Sequence, residues 1–297
     1  MRTSSIIRII IYTLLILILI GVMCGFITDE IYLSSDRFER TDAPVPTESL
    51  AEINQLDFTT QVQNIEIVWV AGSITIHPSD SISSIHVVEY VPNGTEHTMV
   101  CRQSGQTLKI EFSEEKEALK LIGNNHTVSK DLVIRVPKNW NCNNLEIDAA
   151  ATDVTIQDLT VNELDFDGAS GKLILDNCNI VDLDIDTASG DVDFNGILKD
   201  LEFDAASAKF YGDFRQVPNH LNMDTASGDL EIVLPEYCWF TCELDALSSR
   251  FETDFATTTE NGIYIHGGKD NACHIKISAL SGNVSILKGI TAPETTK

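Results

Sequence analysis

Aspartate recurs at nearly constant spacing through the second half of the chain, and carboxylates can bind metal ions or act in acid–base catalysis. The steps between these aspartates are 19, 19, 18, 20 and 21 residues. The set, called the aspartate column below, consists of Asp148, Asp167, Asp186, Asp204, Asp224 and Asp245. Strands of a sheet lie about 4.8 Å apart, so the stacked carboxylates would repel by roughly 1 kcal/mol in water.

Two interpretations of the aspartate column follow from this repulsion. Calcium prefers carboxylate oxygens, so the column could bind calcium loosely from the surroundings. In the other interpretation, which we favour, each aspartate caps a turn by accepting hydrogen bonds from amides two or three residues further on. The calcium-binding repeat "GGxGxD" is absent, and we predict no metal site and no cofactor beyond such loosely bound calcium.

Catalysis requires a unique, preorganised group of residues in a cleft, whereas these acids are spread evenly through the chain. Polysaccharide lyases with a β-helix combine clustered acids with a basic residue, and Lys172, Lys209 and Arg250 each follow one of the aspartates. We predict no catalytic residue and no enzymatic activity, and keep a lyase or hydrolase as the less favoured alternative. The one insertion long enough to build a site is "ATTTENGIYIHGGKDNACH" at residues 256–274.

The elements that must position these aspartates repeat with them. The motif "DTASG" occurs identically at residues 186–190 and 224–228, and a last copy without aspartate begins at Ser278. A short alternating strand precedes each motif, and a unit of about 19 residues leaves no room for a crossover helix. Apolar residues recur at fixed positions, as at Leu145 and Leu164, which favours parallel stacking over an antiparallel meander. We predict an all-β, single-stranded β-solenoid (β-helix) with coils of about 19–20 residues, preceded by one N-terminal transmembrane helix.

Glycine recurs where the motif must bend, at Gly171, Gly190, Gly228 and Gly282. A tight bend with positive φ favours glycine because a side chain would be strained there. We therefore predict that these glycines are structural turn residues. Two copies of the motif, "AASAK" and "ALSSR", lack the glycine.

The first residues of the chain predict a membrane anchor. Ile9–Ile27 carries no charge, and these 19 residues would span about 28 Å as a helix, close to the hydrocarbon core of a bilayer. Arg2 and Arg8 precede the span and Asp29 follows it, so the positive-inside rule predicts a cytoplasmic N-terminus and an exported remainder. We predict a single-pass cell-membrane protein that contacts lipid through residues 9–27.

Charge and cysteine content restrict the partners and the compartment. The chain has 45 acidic and 20 basic side chains, for a formal net charge of −25. This charge repels phosphate backbones, so we exclude nucleic acid as a partner. Six of the seven cysteines lie beyond the predicted membrane span, where export permits disulfides but spacing does not indicate their pairing.

These patterns divide the chain into parts. They are a cytoplasmic N-terminus and transmembrane helix at residues 1–28, a juxtamembrane linker at 29–56, an irregular β region capping the solenoid at 57–140, the repeats at 141–288 and a polar tail at 289–297. An earlier, diverged copy of the repeat is "WVAGSITI" at residues 69–76. The open ends of a solenoid are strand edges, and we expect the region before Trp140 to cover one end and "LKGITAPETTK" the other.

The chain resembles a known family in several ordered segments. The "DTASGD" units, "LVIRVPKNWNCNNLEI" at residues 132–147 and the terminal "IKISALSGNVSI" are similar to the β-strand repeats of a family of bacterial putative adhesins of unknown function. The similarity covers about residues 60–288. It implies a repeat fold and a place at the cell surface or envelope, but no particular activity.

These features predict a non-enzymatic, membrane-anchored extracytoplasmic protein that acts as an adhesin or as a binding scaffold of the cell envelope. A long repetitive surface suits an extended partner such as cell-wall glycan or another envelope protein. The alternative is a regulatory partner of an envelope-stress sensor.

Overall fold

The computed structural model describes residues 50–92, 98–113, 129–268 and 272–289, and all regular secondary structure in these ranges is β-strand. The strands are β1 (Leu50–Phe58), β2 (Asn64–Ser79), β3 (Ile85–Pro92), β4 (Val100–Ser104), β5 (Thr107–Glu111), β6 (Lys130–Pro137), β7 (Cys142–Gln157), β8 (Thr160–Ser207), β9 (Phe210–Phe214), β10 (His220–Ser227), β11 (Leu230–Pro235), β12 (Phe240–Thr253), β13 (Thr258–Glu260), β14 (Ile263–His266) and β15 (Cys273–Gly289). The predicted all-β class is confirmed.

Successive repeats pair in parallel, and each contributes one rung to a long stack. Asp148 of β7 lies opposite Asp167 of β8, and Asp204 of β8 lies opposite Asp224 of β10. This register is the one obtained by aligning the motifs in the sequence. The recurring aspartates therefore lie side by side along the stack.

The apolar positions of the repeat face the interior. The position three residues before each aspartate is between 0% and 3% exposed in every rung, at Leu145, Leu164, Leu183, Leu201, Leu221 and Cys242. Removing apolar surface from water stabilises a fold by about 25 cal/mol per Å². Because each rung covers the apolar side chains of its neighbours, the interior continues from one repeat to the next.

The spatial order of the rungs departs from chain order at the C-terminal end. β15, the last described strand, lies between β10 and β11 on one side and β12 on the other. Ser278 therefore separates Asp224 from Asp245, and the aspartate column is continuous only from Asp148 to Asp224. The expectation that "LKGITAPETTK" covers an end of the stack is wrong for residues 287–289, which pair with β11.

The long step before the last repeat explains this order. The step of 33 residues from Asp245 to Ser278 is long enough for a hairpin, β13–β14, that pairs antiparallel with β12. The hairpin extends the sheet beyond β12, and β15 occupies the position next to β10.

Parallel stacking also reaches into residues 57–140, the region expected to be an irregular cap. β2 pairs in parallel with β7 on one side and with β5 and β6 on the other. Trp69 lies opposite Ala149 and Ile74 opposite Val154, so the segment 69–76 is a repeat, as its sequence indicates. β3 and β1 then extend the sheet in the antiparallel sense, and β4 pairs antiparallel with β5.

Several sequence-based predictions fall on residues outside the described ranges. These are the membrane span at residues 9–27, the linker up to residue 49 and the tail from residue 290. β1 begins at Leu50, so the end of the predicted linker belongs to a strand. Among the described residues there is no helix with the length and apolar character needed to cross a membrane.

Three of the four predicted turn glycines have a positive φ, namely Gly171 (+118°), Gly228 (+145°) and Gly282 (+121°). Gly190 does not, and close packing is the reason for glycine there. A Cβ on Gly190 would lie 2.9 Å from the carbonyl oxygen of Gly171. In the two copies without glycine, the equivalent residues Ala208 and Ser249 turn without a positive φ.

Candidate functional site

Three columns of acidic side chains share one face of the parallel stack, because alternate residues of a strand point to the same side. The face, called the acidic face below, consists of the aspartate column from Asp148 to Asp224, of Glu146, Asp165, Asp184 and Glu202 two positions earlier, and of Glu163, Asp182 and Asp200 four positions earlier. Lys109 stands near one end of the face, and His220 and Lys276 stand near the other. The face joins five of the six predicted aspartates, but Asp245 lies apart from them.

The aspartate column is half-buried at one end and exposed at Asp224 and Asp245. Burial, followed by repulsion from Asp165, raises the pKa of Asp148 to about 6. Burial and the neighbouring carboxylates, led by Asp165 and Asp148, raise the pKa of Asp167 to about 7. Shifted protonation therefore relieves the repulsion at this end of the column.

The predicted turn capping does not account for these two aspartates. Oδ1 of Asp148 and Oδ1 of Asp167 are buried, and no group in the described part of the chain hydrogen-bonds either atom. In the copy at residues 186–190 the turn amide of Gly190 donates to Oγ1 of Thr187 at 2.9 Å. The threonine of this motif is thus a capping residue that the sequence analysis missed.

A second column, five residues after the aspartate column, joins neighbouring rungs through hydrogen bonds that the sequence analysis also missed. In each pair, a backbone amide donates to Oδ1 of an aspartate on the adjacent rung at 2.9 Å. The pairs are Lys172 with Asp153, Lys209 with Asp191, and Asn283 with Asp229. Aspartate alternates with lysine or asparagine at this position, and that alternation is the signal in the sequence. Both lysines considered for a lyase, Lys172 and Lys209, therefore take part in contacts between neighbouring rungs.

We expect Asp167→Asn to stabilise the protein above pH 7 by about 1–2 kcal/mol, because the variant removes a carboxylate that burial and its neighbours disfavour. An acid whose pKa is higher in the folded protein than in the unfolded chain begins to destabilise the fold as the pH rises through the unfolded value, and the destabilisation is complete above the folded value. The gain should therefore shrink between pH 7 and pH 4 and vanish below about pH 4. Urea unfolding midpoints across this pH range measure it.

The matched control for this substitution is Asp224→Asn, in the same column but exposed. It should shift the stability by less than about 0.5 kcal/mol at every pH. A loss of stability in Asp167→Asn above pH 7 would mean that the Asp167 carboxylate makes a stabilising contact, and would contradict this account of the column.

The cysteines and the acids of the described chain form no evident metal centre. All six described cysteines are free thiols and five of them are buried. Burial raises the pKa of Cys142 to about 12 and that of Cys178 to about 11, and a protonated thiol is a poor nucleophile and metal ligand. Nowhere in the described ranges are three His, Cys, Asp or Glu side chains placed to hold a metal ion. Loosely bound calcium on the acidic face stays a hypothesis.

Solved structures similar to this chain share little sequence with it. A putative cell adhesion protein from Clostridium sporogenes matches at 13% identity and a TM-score of 0.37, over 81% of this chain and 100% of that chain. A putative adhesin from Bacteroides fragilis matches at 16% identity and a TM-score of 0.39, over 82% and 99%. A putative lipid binding protein from Parabacteroides distasonis matches at 12% identity and a TM-score of 0.38, over 82% and 98%. No curated protein matches the chain.

A protein-family model gives the clearest assignment. The model of Toastrack DUF4097 matches residues 62–287, which include the whole aspartate column and the last repeat. The family resemblance indicated by the motifs is thereby confirmed. Since the match extends over most of its length, the chain belongs to the Toastrack DUF4097 family.

Proposed function

We propose that the protein is a non-enzymatic adhesin or binding scaffold of the bacterial cell envelope. In this proposal residues 9–27 anchor it in the cell membrane with a cytoplasmic N-terminus, and the stacked rungs form a β-solenoid outside. Its partner is cell-wall glycan or another envelope protein, and not nucleic acid. The observation that carries the proposal is the acidic face, whose chemistry repeats from rung to rung.

The regular spacing of the acidic face suits an extended partner. Rungs about 4.8 Å apart present similar carboxylates again and again, so a polymer can make the same contact several times along its length. The negative charge of the face disfavours phosphate-rich and other anionic chains. A glycan with hydroxyl, amide or amino groups, or a basic protein segment, complements the face better.

The causes of the pKa shifts support a binding role over catalysis. Those of Asp148 and Asp167 are raised by burial and by repulsion within the acidic face. A catalytic site instead combines a shifted group with a distinct second group that it activates, in a cleft. Here the neighbours that raise these two pKa values are other carboxylates.

The test is retention of the full-length protein, in detergent, on insoluble cell-wall material at low and at physiological salt. The variant Glu163→Gln/Asp182→Asn/Glu202→Gln removes three exposed carboxylates from the acidic face. We expect about fivefold weaker retention of this variant, because the charge complementarity of the face is reduced.

The matched control removes three exposed carboxylates from elsewhere, in Asp176→Asn/Glu231→Gln/Glu236→Gln. This control should be retained like the wild type. Equal loss in both variants would point to net charge alone and contradict a role for the face. Absence of retention at both salt concentrations, with crosslinking to a membrane sensor in cells, would replace the adhesin proposal by the regulatory one.

A further inference from the structure

A cleft of about 520 Å³ opens between the β13–β14 hairpin and the last rungs of the stack. Its lining includes His220, Thr241, His274 and Lys276 from the stack and Ile263 from the hairpin. A second cleft, of about 430 Å³, shares His220 and His274 with the first. Small-molecule sites in proteins have volumes of about 300–1,000 Å³, so the cleft is large enough for a ligand.

The order of the rungs brings the two histidines together. Because β15 lies between β10 and β12, His274 is opposite His220 on one side and opposite Thr241 on the other. The imidazole rings stack with their centroids 5.6 Å apart and their planes 20° from parallel. Both histidines are exposed, so a ligand can reach them.

Each imidazole is held through Nδ1. The Nδ1 atom of His220 lies 2.6 Å from Oδ1 of Asp200, and that of His274 lies 3.0 Å from Oγ1 of Thr241. A ring that is held at one nitrogen presents the other in a fixed direction. Both contacts run through Nδ1, and because both rings are exposed, a ligand can approach Nε2 of each.

The hairpin adds apolar surface beside the two histidines. β14 pairs antiparallel with β12 and places Ile263 and Ile265 in the lining of the cleft. Asn261 and Gly262 turn the hairpin with φ values of 51° and 83°, the signs that a type I′ turn requires. The hairpin belongs to the insertion at residues 256–274, the one that is long enough to build a site.

We infer that this cleft binds a short stretch of a neutral glycan chain. A sugar needs hydrogen-bonding groups for its hydroxyls and apolar surface for its C–H faces, and the cleft offers both side by side. The lining mixes charges of both signs, with Lys276 accompanied by Glu243 and Glu260, which disfavours a simple cation or anion as the ligand. The inference takes from the proposed function that the partner is a glycan, and it adds that the cleft is where the glycan chain binds.

The test is calorimetric titration of the full-length protein, in a detergent without a sugar head group. The probes are tetramers of N-acetylglucosamine and of glucose, with a galacturonic acid tetramer as the anionic comparison. We expect at least one neutral tetramer to bind about tenfold more tightly than the anionic one. His220→Ala/His274→Ala should weaken that binding about tenfold, because the variant lacks both imidazole Nε2 atoms that would hydrogen-bond the sugar.

The matched control is His86→Ala, since His86 also places Nδ1 2.6 Å from an aspartate, Asp57, but in the strands at the other end of the sheet. It should bind the neutral tetramer like the wild type. Equal binding of neutral and anionic tetramers, or unchanged binding in the double variant, would overturn the inference. If the tetramers bind but the protein is not retained on cell wall, the proposed role of the acidic face is contradicted and the cleft proposal stands. If the protein is retained but no tetramer binds, the cleft proposal is contradicted and the role of the acidic face stands.

Discussion

Replacing Lys130 by methionine should lower the free energy of unfolding by about 3–5 kcal/mol, because it leaves a buried carboxylate without its counter-charge. Lys130 and Glu89 both have fully buried side chains, and Nζ of Lys130 lies 2.9 Å from Oε1 of Glu89. Methionine has a similar length and leaves little empty space. The loss therefore reports mainly on the unpaired charge of Glu89.

Further contacts with protein groups surround the buried pair. Nζ of Lys130 also donates to the carbonyl oxygen of Phe112 at 2.6 Å and lies 4.1 Å from the centre of the Phe112 ring. The Glu89 carboxylate accepts a hydrogen bond from the amide of Met99 at 2.9 Å. Burial lowers the pKa of Lys130, and the hydrogen bond to Glu89 opposes that shift.

Urea unfolding monitored by tryptophan fluorescence measures this loss, since the Trp69 ring lies 5.9 Å from Nζ of Lys130. The double variant Glu89→Gln/Lys130→Met removes both charges and should recover most of the stability. Lys138→Ala is the surface control, because its ion pair with Asp80 is exposed, and it should cost less than about 0.5 kcal/mol. A Lys130→Met variant as stable as Lys138→Ala would contradict the importance of the buried pair.

Much of the repeat geometry follows from the sequence because every rung buries apolar residues at the same positions of its motif. An apolar residue three positions before the aspartate must enter the interior in every repeat, as Leu145 and Leu164 do. Side chains alternate between the two faces of a strand, so placing this apolar residue also places the aspartate column. The register of the parallel pairs is therefore predictable without coordinates.

The position of the last rung is not predictable in the same way. The repeat pattern contains no information on which rung β15 will join, because every rung offers the same edge. The Asn261–Gly262 turn in the insertion is a recognisable hairpin signal, but a hairpin alone does not indicate that β15 lies next to β10. The stacked pair of His220 and His274 depends on that placement, and no local pattern marks it.

The burial of polar groups is also outside what the periodicity predicts. Asp167 and Asp224 occupy the same position in their motifs, yet one is half-buried with a raised pKa and the other is exposed. The column itself differs at the two positions, because Asp224 lies between Asp204 and Ser278, whereas Asp148 and Asp186 both repel the Asp167 carboxylate. Lys130 and Glu89 are likewise brought together by sheet pairing, because β3 and β6 lie side by side.

Gly228→Ala should destabilise the protein by about 3 kcal/mol or more, since the backbone of two rungs would have to separate. The φ of Gly228 is +145°, a conformation that residues with a side chain rarely adopt. A Cβ there would lie 1.7 Å from the carbonyl oxygen of Ala208 on the neighbouring rung. That oxygen belongs to the main chain and cannot move aside as a flexible side chain does.

Gly262→Ala separates the two causes of this loss. Gly262 also has a positive φ, of +83°, but a Cβ on it would meet no atom within 4 Å. This control should cost only about 1 kcal/mol, the strain of a side chain at positive φ. Gly171→Ala should follow Gly228→Ala, because its Cβ would lie 2.1 Å from the carbonyl oxygen of Thr152. If urea midpoints show that Gly228→Ala loses only as much stability as Gly262→Ala, backbone strain alone requires these glycines. If Gly228→Ala loses as much stability as Gly171→Ala, the close approach of neighbouring rungs requires them.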